Sequence, residues 1–126
     1  MAHPTPFMVT ATVGDPFAHP EHMALLLLEG GQRFLVRAQE ALRRGDAIIA
    51  QHYRRRLLTV LGELDRSLDH RTGGELVETL SGLYAWWGEE AGRACDAGDP
   101  GTLTRIFEQM GEVRHGWEQA IYQAAS

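Results

Sequence analysis

Glu112 and His115 stand in the run Glu-Val-Arg-His, a spacing that sets a carboxylate and an imidazole on one helical face, where both could ligate a metal. Carboxylate bundles that hold two metals need two such pairs and two further inward glutamates. This chain has one pair, and it falls between the apolar positions Met110, Val113 and Trp117. A metal-binding carboxylate bundle is therefore a minor alternative, and no metal or cofactor is expected. His19 and His22 straddle an expected helix start and read as solvated. Glu89 and Glu90 are adjacent, so on a helix they diverge by about 100° and do not act as paired acids. Cys95 is the only cysteine, which excludes an intrachain disulfide and points to a reducing compartment; it reads as a small, partly buried residue. No phosphate-cradling glycine loop, Gly-x-Ser-x-Gly elbow or Cys/His constellation is present. No catalytic residues are expected, and the chain reads as a protein other than an enzyme.

Charge narrows the partners. The net charge is −5, and all twelve basic residues are arginine. Nine of them lie between Arg33 and Arg71 against five acids, leaving three arginines and twelve acids elsewhere. A nucleic-acid binder carries a basic stripe and a high pI, whereas the pI here is near 5.6, so no nucleic-acid partner is expected. Arg54-Arg55-Arg56 reads as a solvated face, with an anchor for an acidic partner segment as its functional alternative. Nothing resembles a signal peptide. The apolar run Met23 to Leu28 is far too short to span a bilayer. A soluble, cytoplasmic protein without membrane insertion is the expectation.

Helices must position whatever these residues do. Four of the five prolines lie at or before Pro20 and the fifth is Pro100, so the stretch between them lacks this helix breaker. Residues 1–18 have no sustained period and are expected to form a flexible N-terminal arm, with residues 19–126 as one helical domain. Helix 1 starts at Pro20, a residue suited to a first helical position, and buries Leu27, Leu28, Phe34, Leu35, Ala38, Ala41 and Leu42. Gly45 suits its C-terminal cap and Asp46 the N-cap of helix 2. That helix runs from about Ala47 to Asp69, with Ile49, Tyr53, Leu57, Val60, Leu61, Leu64 and Leu68 inward. Thr72 and Glu75 have the spacing of a capping box, opening helix 3 with Leu76, Leu80, Leu83, Trp87 and Ala91 inward. Asp99-Pro100 opens helix 4, which carries Leu103, Ile106, Phe107, Met110, Val113, Trp117 and Ile121. Long helices on short connections favour antiparallel neighbours, so the fold class is all-α, an up-down-up-down four-helix bundle.

Two features are left over once that core is filled. Leu25 and Leu26 on helix 1, Leu58 on helix 2, and Val77, Tyr84 and Trp86 on helix 3 are apolar beyond one seam. Such a wide stripe touches two neighbours or offers a groove to a partner. With Leu28, these residues are the expected partner contacts. Eight glycines, Gly30, Gly31, Gly62, Gly82, Gly88, Gly92, Gly111 and Gly116, also fall inside helical patterns, at a cost of roughly 1 kcal/mol each relative to alanine. They serve close helix approach or leave troughs for another helix; the pattern fits both. A homodimer acting as a structural or regulatory bundle through the same apolar face is the alternative to a partner-binding module.

The wording of two segments carries a resemblance. Pro20-Glu-His-Met-Ala-Leu-Leu-Leu-Leu-Glu-Gly-Gly-Gln-Arg-Phe-Leu35 resembles the first helix of the flagellar secretion chaperone FliS family, matching at Pro20, Leu27, Gly30, Phe34 and Leu35. Ser67-Leu68-Asp69, Gly73-Gly74-Glu75-Leu76, Leu80 and Leu83-Tyr84 resemble its second-to-third helix junction, and Trp117 falls where its last helix commonly has tryptophan. Leu28 replaces the family's tyrosine, Glu29 its aspartate and His19 its serine or threonine. The family often has a tyrosine in the N-terminal arm that covers the binding surface; this arm has none, leaving Phe7 or Phe17 as substitutes. The resemblance implies a cytosolic export chaperone. Such a protein binds the disordered C-terminal segment of flagellin, prevents premature polymerisation and keeps its client competent for flagellar type III secretion. Components of the flagellar export apparatus are the further partners it implies.

Overall fold

The computed structural model describes residues 20–125, which form four helices and no strand. The expected arm, His19 and the domain boundary between residues 18 and 19 lie outside the described residues. The helices are α1 (Pro20–Arg43), α2 (Ala47–Arg66), α3 (Gly74–Ala97) and α4 (Pro100–Ala125). Each helix packs on its successor and α4 closes back on α1. With connections this short, the result is the expected antiparallel four-helix bundle.

Two of the turns follow from their residues. Gly45 (φ +76°) and Gly98 (φ +67°) adopt the left-handed conformation that ends α1 and α3. The Asp46 N–H donates to the Ala41 carbonyl and the Gly45 N–H to that of Leu42, at 2.8 and 3.0 Å. Asp99 and Gly98 repeat the arrangement on Ala94 and Cys95. The aspartate after each glycine then caps the next helix. Asp46 Oδ1 accepts the Ile49 N–H at 3.1 Å, and Asp99 Oδ1 accepts those of Gly101 and Thr102 at 3.0 and 3.3 Å.

The turn between α2 and α3 differs from the expected capping box. Thr72 donates its hydroxyl to Asp69 rather than capping a helix, and α3 begins behind Gly73 with no side-chain cap. Asp69 is the organiser: its carboxylate also accepts the N–H groups of Arg71 and Thr72, each at 3.2 Å. With Asp69 engaged in the turn, α2 ends at Arg66, although Leu68 remains fully buried. The paired glycines serve different ends. A Cβ on Gly73 would stand 1.9 Å from Val77 Cγ2 and 2.6 Å from the Asp69 carbonyl oxygen, whereas Gly74 takes φ +62°.

The core is built from Ala24, Leu28, Leu35, Leu57, Leu61, Leu64, Leu68, Val77, Leu80, Tyr84, Trp87, Leu103, Ile106 and Met110, among others. On α3 the buried register is Val77, Leu80, Tyr84, Trp87 and Ala91. Leu76 is 51% exposed, which corrects the expected inward set, whereas Leu83 is partly buried and packs against the core. The two stripes share the same periodicity and both include Trp87, and the chosen one adds the large aromatic side chain of Tyr84 to the core. On α2 the inward residue of the first turn is Ala50, while Ile49 is exposed.

Polar side chains fix the register of α4. Gln32 Nε2 donates to the Phe107 carbonyl at 3.0 Å, while its Oε1 accepts from Arg114 Nη1 at 2.9 Å. Gln39 Nε2 donates to Thr104 Oγ1 at 2.7 Å. On the α3 side, the fully buried Trp87 donates its indole N–H to Gln109 Oε1 at 2.9 Å. Among the described side chains, Met110 is the last buried one on α4; Val113, Trp117 and Ile121 beyond it are only partly covered.

Candidate functional site

Arg54, Leu58, Leu61, Gly62 and Asp65 recur on α2 at steps that keep them on one strip. Ser81, Tyr84, Ala85, Gly88 and Glu89 face them from α3, and the two sets line a groove of about 380 Å³. Its middle is apolar and small-walled. Leu58 lies across it 40% exposed. A Cβ on Gly88 would stand 2.9 Å from Leu58 Cδ2 and 3.6 Å from Leu61 Cδ1, so the absent side chain is what admits the leucine.

Tyr84 forms the floor. Burial pushes its hydroxyl pKa up to about 12, the Asp65 carboxylate adds to the rise, and the Trp117 side chain opposes it. The hydroxyl oxygen is buried without a hydrogen bond of good geometry. A phenol held neutral in this way acts as a wall rather than as an acid or base.

The two ends of the groove are marked by opposite charges on α2, Arg54 and Asp65, and Glu89 on α3 lines it as well. At one, the Arg54 guanidinium lies against Gly92, where a Cβ would stand 2.7 Å from Nη2 and 2.9 Å from Nε. Arg54 Nη1 donates to Gln51 Oε1 at 3.3 Å, but its Nε is buried with no acceptor. At the other end Asp65 accepts the Ser81 hydroxyl, and His70 Nε2 stands 3.7 Å from Asp65 Oδ1. The arginine run thus does not form one solvated face. Arg54 turns into this groove, Arg55 is exposed, and Arg56 lies 5.2 Å from the centre of the Phe34 ring on α1.

The structure brings only two of the sequence-derived contact residues into the groove, Leu58 and Tyr84. Leu28 and Val77 are core residues, and Tyr84 is buried as well, which corrects their assignment to a leftover face. On α1 four leucines in a row cannot all face inward, and Leu28 takes the register of Ala24 and Leu35. Leu25 is half-buried, while Leu26 and Trp86 are 56% and 43% exposed on α1 and α3, away from the groove lining. Arg54, Asp65, Ser81 and Ala85 escaped the apolar-surplus argument because none is a large hydrophobe. Their signal was the spacing of small residues Ser81, Ala85, Gly88 and Gly92 on α3.

Glu112 and His115 are both exposed on α4. Among the described residues no group of three or more His, Cys, Asp or Glu side chains gathers for a metal ion, and no helix is long and apolar enough to cross a membrane. The groove therefore offers shape, apolar surface and two charged ends. It suits one face of a helix laid along it.

Comparison with known proteins agrees in outline. The family model described as flagellar protein FliS matches residues 16–124. The chain is 28% identical over 110 residues to the flagellar secretion chaperone FliSB of Pseudomonas aeruginosa, covering 87% of this chain and 86% of that one. It is 37% identical over 65 residues to the flagellar secretion chaperone FliS of Campylobacter jejuni, about half of each chain (52% and 51%). With the corresponding chaperone of Vibrio cholerae it shares 22% identity over 102 residues, 81% of this chain and 75% of that one.

Proposed function

The chain belongs to the flagellar protein FliS family, and on that basis we propose that it is a cytosolic flagellar export chaperone whose client is the disordered C-terminal segment of flagellin. Binding keeps that segment from polymerising early and holds it ready for type III secretion, with components of the export apparatus as later partners. The observation that carries the reading is the α2–α3 groove, open, apolar in its middle and crossed by the exposed Leu58. A disordered segment that folds on binding can lay one face of a nascent helix there and wrap further surface with the remainder. The exposed Leu26 and Trp86 on α1 and α3 are candidates for that wider contact. Ordering the segment costs about 2–5 kcal/mol of the gross interaction energy, which favours release at the export gate.

Calorimetric titration with the C-terminal segment of flagellin from the same genome tests this. The expected result is saturable one-to-one binding with a negative heat-capacity change from apolar burial. A folded protein that releases no heat and shows no binding at any temperature overturns the reading.

A further inference from the structure

We infer that the α2–α3 groove is directional: it takes a client helix whose N-terminal end lies over Asp65 and whose C-terminal end, carrying a carboxylate side chain, lies over Arg54. The inference rests on the client-binding reading above and goes on to say how the client is seated.

Three observations carry it. Arg54 is a partly buried cation with unmet demand. Its Nε is out of water and has no acceptor, and among the described residues no carboxylate comes within ion-pair distance of it. Glu89 stands in the lining of the same groove but forms no ion pair with Arg54. A buried guanidinium edge of this kind is best satisfied by a carboxylate, which accepts two of its N–H groups together. Gly92 is what admits the guanidinium against α3, because any Cβ there would meet Nη2, Nε and Cζ at 2.7 to 3.1 Å.

The second observation is Asp65, the opposite charge at the opposite end. Its carboxylate takes the Ser81 hydroxyl and remains 42% exposed. His70 at 3.7 Å neutralises it only when protonated. A helix N-terminus brings unpaired N–H groups and a partial positive charge, and its C-terminus a partial negative charge. Asp65 therefore favours the first and Arg54 the second.

The third is length. Arg54 and Asp65 are separated by about three helical turns, roughly 16 Å at the usual rise per residue. Between them Leu58, Leu61, Gly62, Ala85 and Gly88 present apolar and small surface. A three-turn amphipathic stretch fits with both ends matched, running antiparallel to α2 and parallel to α3. The reverse orientation places like charge at both ends.

The test uses the intact 15N-labelled protein and the flagellin C-terminal segment carrying one nitroxide, placed at either end of its longest amphipathic stretch. The expected result is broadening of the Gly92 and Arg54 amide signals by the C-terminal label, and of Asp65 and Ser81 by the N-terminal label. The reversed pattern, or saturable binding that leaves all four signals sharp, overturns the directional assignment while leaving the chaperone reading standing. No binding of either peptide overturns both. Arg54→Gln is expected to weaken binding about tenfold, and replacing the client's facing acid with alanine to add nothing further. Full additivity of the two losses counts against the contact.

Discussion

The Cδ2 methyl of Leu58 on α2 rests over Gly88 on α3, where a Cβ would stand only 2.9 Å away. The pair sets the depth of the groove: a larger residue at position 88 lifts Leu58, and a polar one at 58 wets the apolar strip. Leu58→Glu is expected to cost less than about 1 kcal/mol of stability, since the side chain is already 40% exposed. Affinity for the flagellin segment should fall at least tenfold. Circular dichroism and calorimetry on the same sample separate the two effects.

Trp87 depends on Gln109. Its ring is fully buried, and Gln109 Oε1 is the acceptor for its indole N–H. Gln109→Leu removes that acceptor, with an expected loss of about 1–3 kcal/mol for a buried donor left unmet. Urea denaturation measures it. An unchanged midpoint means water or another side chain reaches the indole.

Helical glycines divide by what surrounds them. Gly82 and Gly116 face open space, whereas a Cβ on Gly31 would stand 2.6 Å from Met110 Cε and 3.4 Å from Leu57 Cδ1. Gly82→Ala is expected to stabilise by roughly 0.5–1 kcal/mol through helix propensity. Gly31→Ala offsets the same gain with overpacking in the core and should destabilise by about 1 kcal/mol. Thermal melts of the two variants should therefore move in opposite directions.

At acid pH, Asp69 and Asp99 lose a contribution to stability. Their carboxyls are held below the usual aspartate range chiefly by the hydroxyls of Thr72 and Thr102 respectively, with backbone N–H groups adding to the effect. A depressed folded pKa means that the unfolded chain binds protons first. The contribution is present above the unfolded aspartate value of about 3.9 and is lost as pH falls through the folded one. Asp99→Asn should flatten the acid limb of a stability-against-pH curve. An unaltered limb means that the cap is already lost before titration.

Tyr84 acts at the other extreme. With a folded pKa of about 12 against an ordinary 10.0, the unfolded state releases its proton first, so stability falls as pH rises between those values. Tyr84→Phe should remove that slope. Near neutral pH the change should stay within about 1 kcal/mol, because the hydroxyl makes no well-formed hydrogen bond. A larger loss would place a structural hydrogen bond on the phenol.

The helices and two of their three turns were legible in the sequence because local chemistry determines them. Pro20, Gly45-Asp46 and Asp99-Pro100 each act through the backbone within a few residues. The α2–α3 turn was misread because Thr72 has two good partners in sequence, and Asp69, three residues before it, provides the one used. The α3 register was ambiguous for a different reason. Leu76/Leu83 and Val77/Tyr84 have equal spacing, Trp87 belongs to both stripes, and only the burial of Val77 and Tyr84 in the core separates them. The groove was half visible. Leu58 and the glycines fitted a groove and close helix packing alike, while Arg54 and Asp65 matter through what they lack or share across the interface, which periodicity does not encode.

Among the described side chains Met110 is the last fully enclosed one on α4, and this is expected to divide the helix into halves with different opening free energies. The first half is tied to the core through Leu103 and Ile106 and to α1 through Gln39 and Thr104. The second half is held by the partly covered Val113, Trp117 and Ile121 and by Arg114 bonded to Gln32. Amide protons beyond Gly111 are thus expected to exchange through a local opening that leaves the other three helices intact. Because Trp117 lies on that looser half and beside Tyr84, each such opening uncovers the back of the groove floor. The face proposed to receive a client and the segment expected to fray first are in this way two sides of the same tyrosine.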